Sequence, residues 1–228
     1  MKALNSLTSR IAMKLFPVWW KRRSEMRFWM KQKRKEETLT NKHYIYPYTT
    51  HFGLTVNSYA GKRILDIGCG PRGSLEWAET ANQRVGLDPL ADEYLKIGAD
   101  QHAMEYVSEK SEQMPFDDGS FDIVCAFNSL DHVEDVLETI SEIKRVTTNG
   151  GMFLLLVEIN HPPTATEPHN LSVDVLNQFD PEFSVEDFSV FKPVEGFGVY
   201  RAIRANNRWA DPTNVTEAGW LSAKLRRN

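Results

Sequence analysis

Asp66 and Asp88 bracket the stretch of this 228-residue chain whose residue types and spacing best suit chemistry. Asp66 stands two residues before Gly68 in the run Ile64-Leu65-Asp66-Ile67-Gly68-Cys69-Gly70-Pro71-Arg72-Gly73. Glycine at 68 and 70 opens backbone conformations closed to other residues, and it removes side chains that would hold a ligand away from the main chain. The turn's N–H groups, with the N-terminus of a following helix, would face a ligand carrying negative charge. At the strand end Asp66 can organise the turn around a ligand ammonium, and Asp88, closing the run Arg84 to Leu87, can accept both hydroxyls of a ribose. Both acids also have a plainer use as turn caps. The spacing Gly68-x-Gly70-x-x-Gly73 alone is a weak dinucleotide fingerprint.

The elements that must position these residues follow from the pattern of apolar runs. Strand one is expected at about 63–67, a helix at 73–81, strand two at 84–88 and a helix at roughly 91–97. A short third strand covers about 103–107, and Pro115 with Asp118-Gly119 turns the chain into a fourth at 123–127. Val133, Val136, Leu137, Ile140, Ile143 and Val146 give the next helix one apolar face. Asn149-Gly150-Gly151 stops it, and the unbroken apolar run Met152 to Val157 reads as a central strand. This alternation argues an α/β fold with a parallel sheet wound by helices. Beyond a proline-rich loop, Glu158 to Asn170, come a helix near 172–179 and strand-like segments at about 184–192 and 197–204. Residues 206–228 lack strong periodicity and are expected to form a tail.

With both aspartates and the glycine turn in view, the chain resembles the class I S-adenosylmethionine-dependent methyltransferases. The resemblance extends to Glu112-Gln113-Met114-Pro115-Phe116 with Ser120-Phe121-Asp122, to Leu130-Asp131-His132-Val133, and to the helix and Gly-Gly that follow, so it covers about 61–158. It implies a Rossmann-like, mainly parallel seven-stranded sheet with helices on both faces, closed by an antiparallel hairpin. It implies S-adenosylmethionine as cofactor, held by Asp66, Gly68, Cys69, Gly70, Asp88, Pro89, Glu112, Gln113, Met114 and Asn128, with Ser111 also flanking the adenine. One position departs from the pattern. Lys110 stands where many relatives have an aspartate for the adenine amine, leaving Glu112 or a backbone carbonyl to replace it.

The chemistry would then follow from the cofactor. A sulfonium methyl is already activated, so the protein must mainly align nucleophile, methyl and sulfur. A hydroxyl or ammonium acceptor also needs a base. His132, a residue type that titrates near neutrality, is the first candidate; its alternative use is bracing the turn. His161, Glu167 and His169 are further candidates as base or substrate contacts. The same three have metal-ligand chemistry, but irregular spacing and intervening prolines argue against it, and no metal is expected. Tyr44, Tyr46, Tyr48 and Glu158 could contact substrate, although the tyrosines could equally cover the sheet edge and Glu158 could satisfy loop amides.

Composition bounds the rest. Residues 1–40 hold 11 Lys/Arg against 3 Asp/Glu, whereas the remainder holds 16 against 28, a balance that repels nucleic acid. Two cysteines, Cys69 and Cys125, fit a reducing, cytoplasmic setting without a disulfide framework. The expected organisation is a helical extension or lid over 1–60, the methyltransferase domain over 61–205, and the tail over 206–228. In the extension Leu4, Leu7, Ile11 and Leu15 recur at helical spacing, and a second helix is expected from near Ser24. Trp19, Trp20, Phe28 and Trp29 amid Lys and Arg suit packing on the domain, or peripheral membrane contact through residues 1–38. The run Leu15 to Trp20 is too short to span a bilayer.

A small polar acceptor methylated on oxygen or nitrogen is the leading expectation. A sugar or glycan precursor is favoured because Glu25-x-x-Phe28-Trp29 resembles an element of glycan-cluster methyltransferases, and a lipid-linked acceptor would give the basic extension a membrane role. The alternatives are a non-catalytic cofactor-binding or scaffold protein of the same fold, and a nicotinamide-dependent oxidoreductase. Against the latter, the Pro115-Phe116 block would have no purpose there.

Overall fold

A computed structural model describes residues 17–36 and 39–228; the expected helix through Leu4 to Leu15 lies outside them. Seven strands form one sheet in the order β3-β2-β1-β4-β5-β7-β6. They are β1 (Arg63–Ile67), β2 (Gln83–Leu87), β3 (Glu105–Val107), β4 (Phe121–Phe127), β5 (Thr147–Ile159), β6 (Phe183–Phe191) and β7 (Gly219–Arg227). β1, β2, β3, β4 and β5 pair in parallel, and β7 lies antiparallel to both β5 and β6. The carboxyl ends of β1, β2, β4 and β5 therefore share one edge, where open parallel sheets bind ligands.

The helices are α1 (Pro17–Glu36), α2 (Ile45–Tyr48), α3 (Ala91–Lys96), α4 (Val136–Val146) and α5 (Val199–Ala205). Alternate residues of the central strands feed two apolar layers. Leu65, Val124, Phe153 and Leu155 meet Ile140 and Ile143 of α4 on one face, while Ile64, Cys125, Leu154 and Leu156 meet Tyr48, Tyr59 and Ile203 on the other. Asp135 caps α4 by accepting the amides of Leu137 (2.8 Å) and Glu138 (3.0 Å), which fixes where the β4 loop becomes helix.

Four expectations are corrected. No α-helix follows the glycine turn: Glu76, Ala78 and Ala81 each donate to the carbonyl three residues back, and the Trp77 indole donates to the Ser74 carbonyl, so the segment is a chain of turns. The anion-binding helix terminus expected there is therefore absent. Residues 197–204 are not a strand but α5, whose buried Val199, Ala202 and Ile203 have helical spacing. The supposed tail holds β7, inserted between β5 and β6, so the sheet extends past the expected boundary at 205. β7 is buried over most of its length on both faces, which removes the polar–apolar alternation by which a strand is recognised. α1 is also already helical at Pro17, ahead of the start expected near Ser24.

Candidate active site

At the end of β1 the chain turns through Gly68 (φ +70°) and Gly70 (φ +58°), left-handed conformations that glycine adopts without strain. A Cβ at Gly68 would collide with Ser129, whose hydroxyl donates to the Ile67 carbonyl at 2.8 Å and locks the β4 loop against the turn. Cys69 is buried with its Sγ over Gly86 of β2, which places it in the packing of the turn.

The two aspartates sit at the adjoining strand ends, both buried. Asp66 accepts a 2.8 Å hydrogen bond from Tyr48 and another from the Ser74 hydroxyl. Burial pushes its pKa up to about 7, partly offset by those two hydrogen bonds. Asp88 accepts from the amides of Leu90 (2.9 Å) and Gly70 (3.3 Å), so it ties the glycine turn to β2. Burial raises it to about 7 as well, against the pull of those amides. Tyr48 thus serves Asp66, and Tyr44 is buried beside Tyr48 and Tyr200. Tyr46 lies under the Arg204 guanidinium at 4.3 Å. The three tyrosines expected at the substrate cover the sheet face and brace the first aspartate.

α1 crosses this edge. Lys21 donates to the His132 carbonyl, Arg22 to the Pro89 carbonyl (3.0 Å) and Glu93 (3.2 Å), and Lys33 to the Ile97 carbonyl (2.6 Å). Between them Trp29 turns inward. Its ring stands 3.1 Å from where a Cβ of Gly70 would be, packs edge-on to Tyr94, and donates its N–H to Glu25 at 2.8 Å. Burial pushes the Glu25 carboxyl up, and Glu25 in turn contributes to the raised pKa of Asp88. Arg72, beneath the same indole at 5.5 Å, grips Glu36 with two 2.7 Å hydrogen bonds and closes the far end of the helix.

In the segment expected to flank an adenine, Glu112 is engaged at the entry to α4, accepting from the Glu134 (2.6 Å) and Asp135 (3.0 Å) amides, and Lys110 pairs with Glu134 at 2.6 Å. Ser111 and Met114 are buried, Gln113 is exposed, and Asn128 takes a left-handed conformation (φ 55°) at the exposed end of β4.

A second polar group gathers where β4 and β5 end. His132 Nε2 lies 3.9 Å from Asp131 Oδ1 and 3.7 Å from Glu167 Oε1, and His161 Nε2 lies 3.6 Å from Asp131 Oδ2. Asp131 is 1% exposed and pushed up to about 7, first by burial. His132 is pushed down to about 4 by burial and then by the nearby Lys21 ammonium, so it is neutral at pH 7 rather than poised at the titration point its residue type suggests. Glu158 is half-buried and raised by burial, with His161 pulling the other way. His169 sits outside the cluster, its Nε2 2.9 Å from the Val133 carbonyl. The fold thus brings together His132, His161 and Glu167. It adds Asp131, which was not singled out as a site residue; an acid directly before a histidine just past a strand's carboxyl end was the available signal. Trp29 and Glu25 stood out only as parts of the extension and Lys21 not at all, because no local pattern says where a separate helix docks.

The matches to known proteins fall on the same segments. Residues 65–155 match the family model described as a methyltransferase domain. A demethylmenaquinone methyltransferase from Staphylococcus saprophyticus is 29% identical over 119 residues, covering 48% of this chain and 49% of that one. The malonyl-[acyl-carrier protein] O-methyltransferase of Erwinia billingiae is 32% identical over 118 residues, covering 47% of each. The chain spans about half the length of these curated relatives. Among solved structures, an S-adenosylmethionine-dependent methyltransferase from Mesorhizobium loti superposes with a TM-score of 0.58 at 19% identity, over 75% of this chain and 95% of that one. Sheet order, glycine turn and family match agree: residues 65–155 match a methyltransferase domain, and the sheet has the fold of solved S-adenosylmethionine-dependent methyltransferases.

Proposed function

We propose that the chain transfers the methyl group of S-adenosylmethionine to oxygen or nitrogen of a small polar acceptor. The observation that carries this reading is the juxtaposition, on one sheet edge, of the glycine turn flanked by Asp66 and Asp88 with the polar cluster at the ends of β4 and β5. Asp66 and Asp88 would hold the amino-acid and ribose ends of the cofactor, whose sulfonium supplies an activated methyl. Ser129 and the Asp88–Gly70 bond keep the turn in place, and the polar cluster around His132 would face the acceptor. Hydroxyl-bearing acceptors, sugars and glycan precursors among them, suit the polar lining. The test is a labelled-methyl screen of the full chain against sugar nucleotides, amines and lipid extracts. Label transferred to a polar acceptor supports the reading; label found only on carbon, or on none of the pools, contradicts it.

In this reading α1 is a lid. Cofactor entry requires the Trp29 face to leave Gly70. The helix's outer side leaves Phe28 (49% exposed) and Met30 (43%) among exposed Arg27, Lys31, Arg34 and Lys35, chemistry suited to an anionic lipid surface. No helix among the described residues is long and apolar enough to cross a membrane. Flotation with anionic vesicles tests the outer face: co-flotation lost in Phe28→Ser supports it, and a chain that stays in the soluble fraction contradicts it.

A further inference from the structure

We propose that Asp131, His132 and Glu167, with His161 on the far oxygen of Asp131, form a binding site for one divalent first-row transition-metal ion. Sequence spacing argued against a metal at His161, Glu167 and His169 because it is irregular and interrupted by prolines. The fold gathers a different set by placing the β4 and β5 ends side by side.

Distances come first. Two donor atoms each about 2.1 Å from one ion stand no more than about 4.2 Å apart. His132 Nε2 to Asp131 Oδ1 is 3.9 Å, His132 Nε2 to Glu167 Oε1 is 3.7 Å, and His161 Nε2 to Asp131 Oδ2 is 3.6 Å. One ligand atom from each of Asp131, His132 and Glu167 lies within 4.8 Å of the other two, a clustering that fits a common ion after side-chain shifts of tenths of an ångström.

Unmet hydrogen bonding is the second observation. Asp131 Oδ1, His132 Nε2 and His161 Nε2 are buried and have no hydrogen-bond partner, although the Asp131 side chain is 1% exposed and that of His161 8%. Buried polar atoms are rarely left so, and Asp131 Oδ1 and His132 Nε2, which meet with Glu167 at one place, point to an ion that satisfies them together. The separations exceed hydrogen-bond length.

Tautomer chemistry is the third. His161 Nδ1 lies 3.1 Å from the Pro162 carbonyl, which can only accept, so Nδ1 carries the hydrogen. In the neutral ring Nε2 is then a bare lone pair facing the far oxygen of Asp131, so it gives that carboxylate no hydrogen bond and leaves its charge for an ion at Oδ1. The nearest ammonium, Lys21, does not fill that place, since it donates to the His132 backbone carbonyl. Imidazole nitrogens with carboxylate oxygens select manganese, iron, cobalt or zinc over magnesium and calcium, which take oxygen donors.

The test needs neither cofactor nor acceptor. The full chain, freed of metal by chelator dialysis, is titrated with Co2+ and followed by its visible d–d absorption and by equilibrium dialysis. One equivalent per chain, retained against excess Mg2+, is expected. Asp131→Asn and Glu167→Gln should each weaken it by about tenfold or more. Glu167 lies in a partly exposed loop, so that variant keeps the fold intact if Asp131→Asn does not. Absence of a stoichiometric site, displacement by Mg2+, or unchanged affinity in Glu167→Gln would overturn the assignment.

Discussion

The glycine turn and the β4–β5 cluster sit on the same sheet edge and solve the problem of buried acids in opposite ways. At the turn, Asp66 and Asp88 are fully engaged within the chain, by Tyr48, Ser74 and the Gly70 and Leu90 amides, under a helix that lays Trp29 on the loop. At the cluster, Asp131 is as deeply buried, yet Oδ1 has no donor and two imidazole nitrogens face carboxylates without bonding. A region whose polar groups are internally satisfied is closed and must open to act. A region with orphaned polar atoms is arranged for a partner from outside. The same desolvation raises all three aspartates to about 7, so it is hydrogen bonding, not burial, that separates the two regions.

The largest way to break this contrast is to spoil the turn itself. Gly68→Ala introduces a Cβ at φ +70° against Ser129. Left-handed strain of about 1–2 kcal/mol and overpacking of about 1–3 kcal/mol predict a loss near 3 kcal/mol by urea denaturation. A variant as stable as the parent would show that the turn is not locked to β4. Asp88→Asn should weaken S-adenosylhomocysteine binding by about tenfold or more, as expected for losing a charge-assisted hydrogen bond; calorimetry reads this, and unchanged affinity would remove Asp88 from the ribose.

Opening the lid comes next. Trp29 contributes an edge-on contact with Tyr94 and stacks with Arg72. Each is worth about 0.5–1.5 kcal/mol, so Trp29→Ala should speed cofactor association by about tenfold in stopped-flow measurements. An unchanged rate would mean that α1 does not gate the turn.

The smallest effect is one of pH. Asp66 and Asp88 are raised in the folded chain, so the stability they confer is fully present below the unfolded aspartate value and is lost as pH rises through 7. From pH 6 to 8 each should cost on the order of 1 kcal/mol, above the window in which His132 titrates. Cofactor affinity should move the other way, since its cationic groups favour the ionised acids. Parallel slopes in the two measurements would contradict the assignment.

Much of the first region was legible in the sequence because its parts are contiguous. Asp66, Gly68 and Gly70 lie within five residues, and Asp88 closes the next strand. What was not legible depended on distance. The segment after Gly73 reads as a helix until Ser74 and Trp77 are seen to bind Asp66 and a backbone carbonyl. β7 has no alternation because both its faces are covered. Tyr48 looked available to a substrate until the β1 end placed Asp66 against its hydroxyl. The second region is discontinuous from the start, joining 131–132 to 161–167, and only the parallel pairing of β4 with β5 makes it one place.

Hydrogen exchange across a titration with S-adenosylhomocysteine tests the central claim most directly. Binding at the glycine turn predicts slowed exchange at residues 68–73 and 86–90, with a changed rate along α1, and loss of all three responses in Asp88→Asn. Heat of binding without protection at the turn, or protection unaltered in Asp88→Asn, would contradict it.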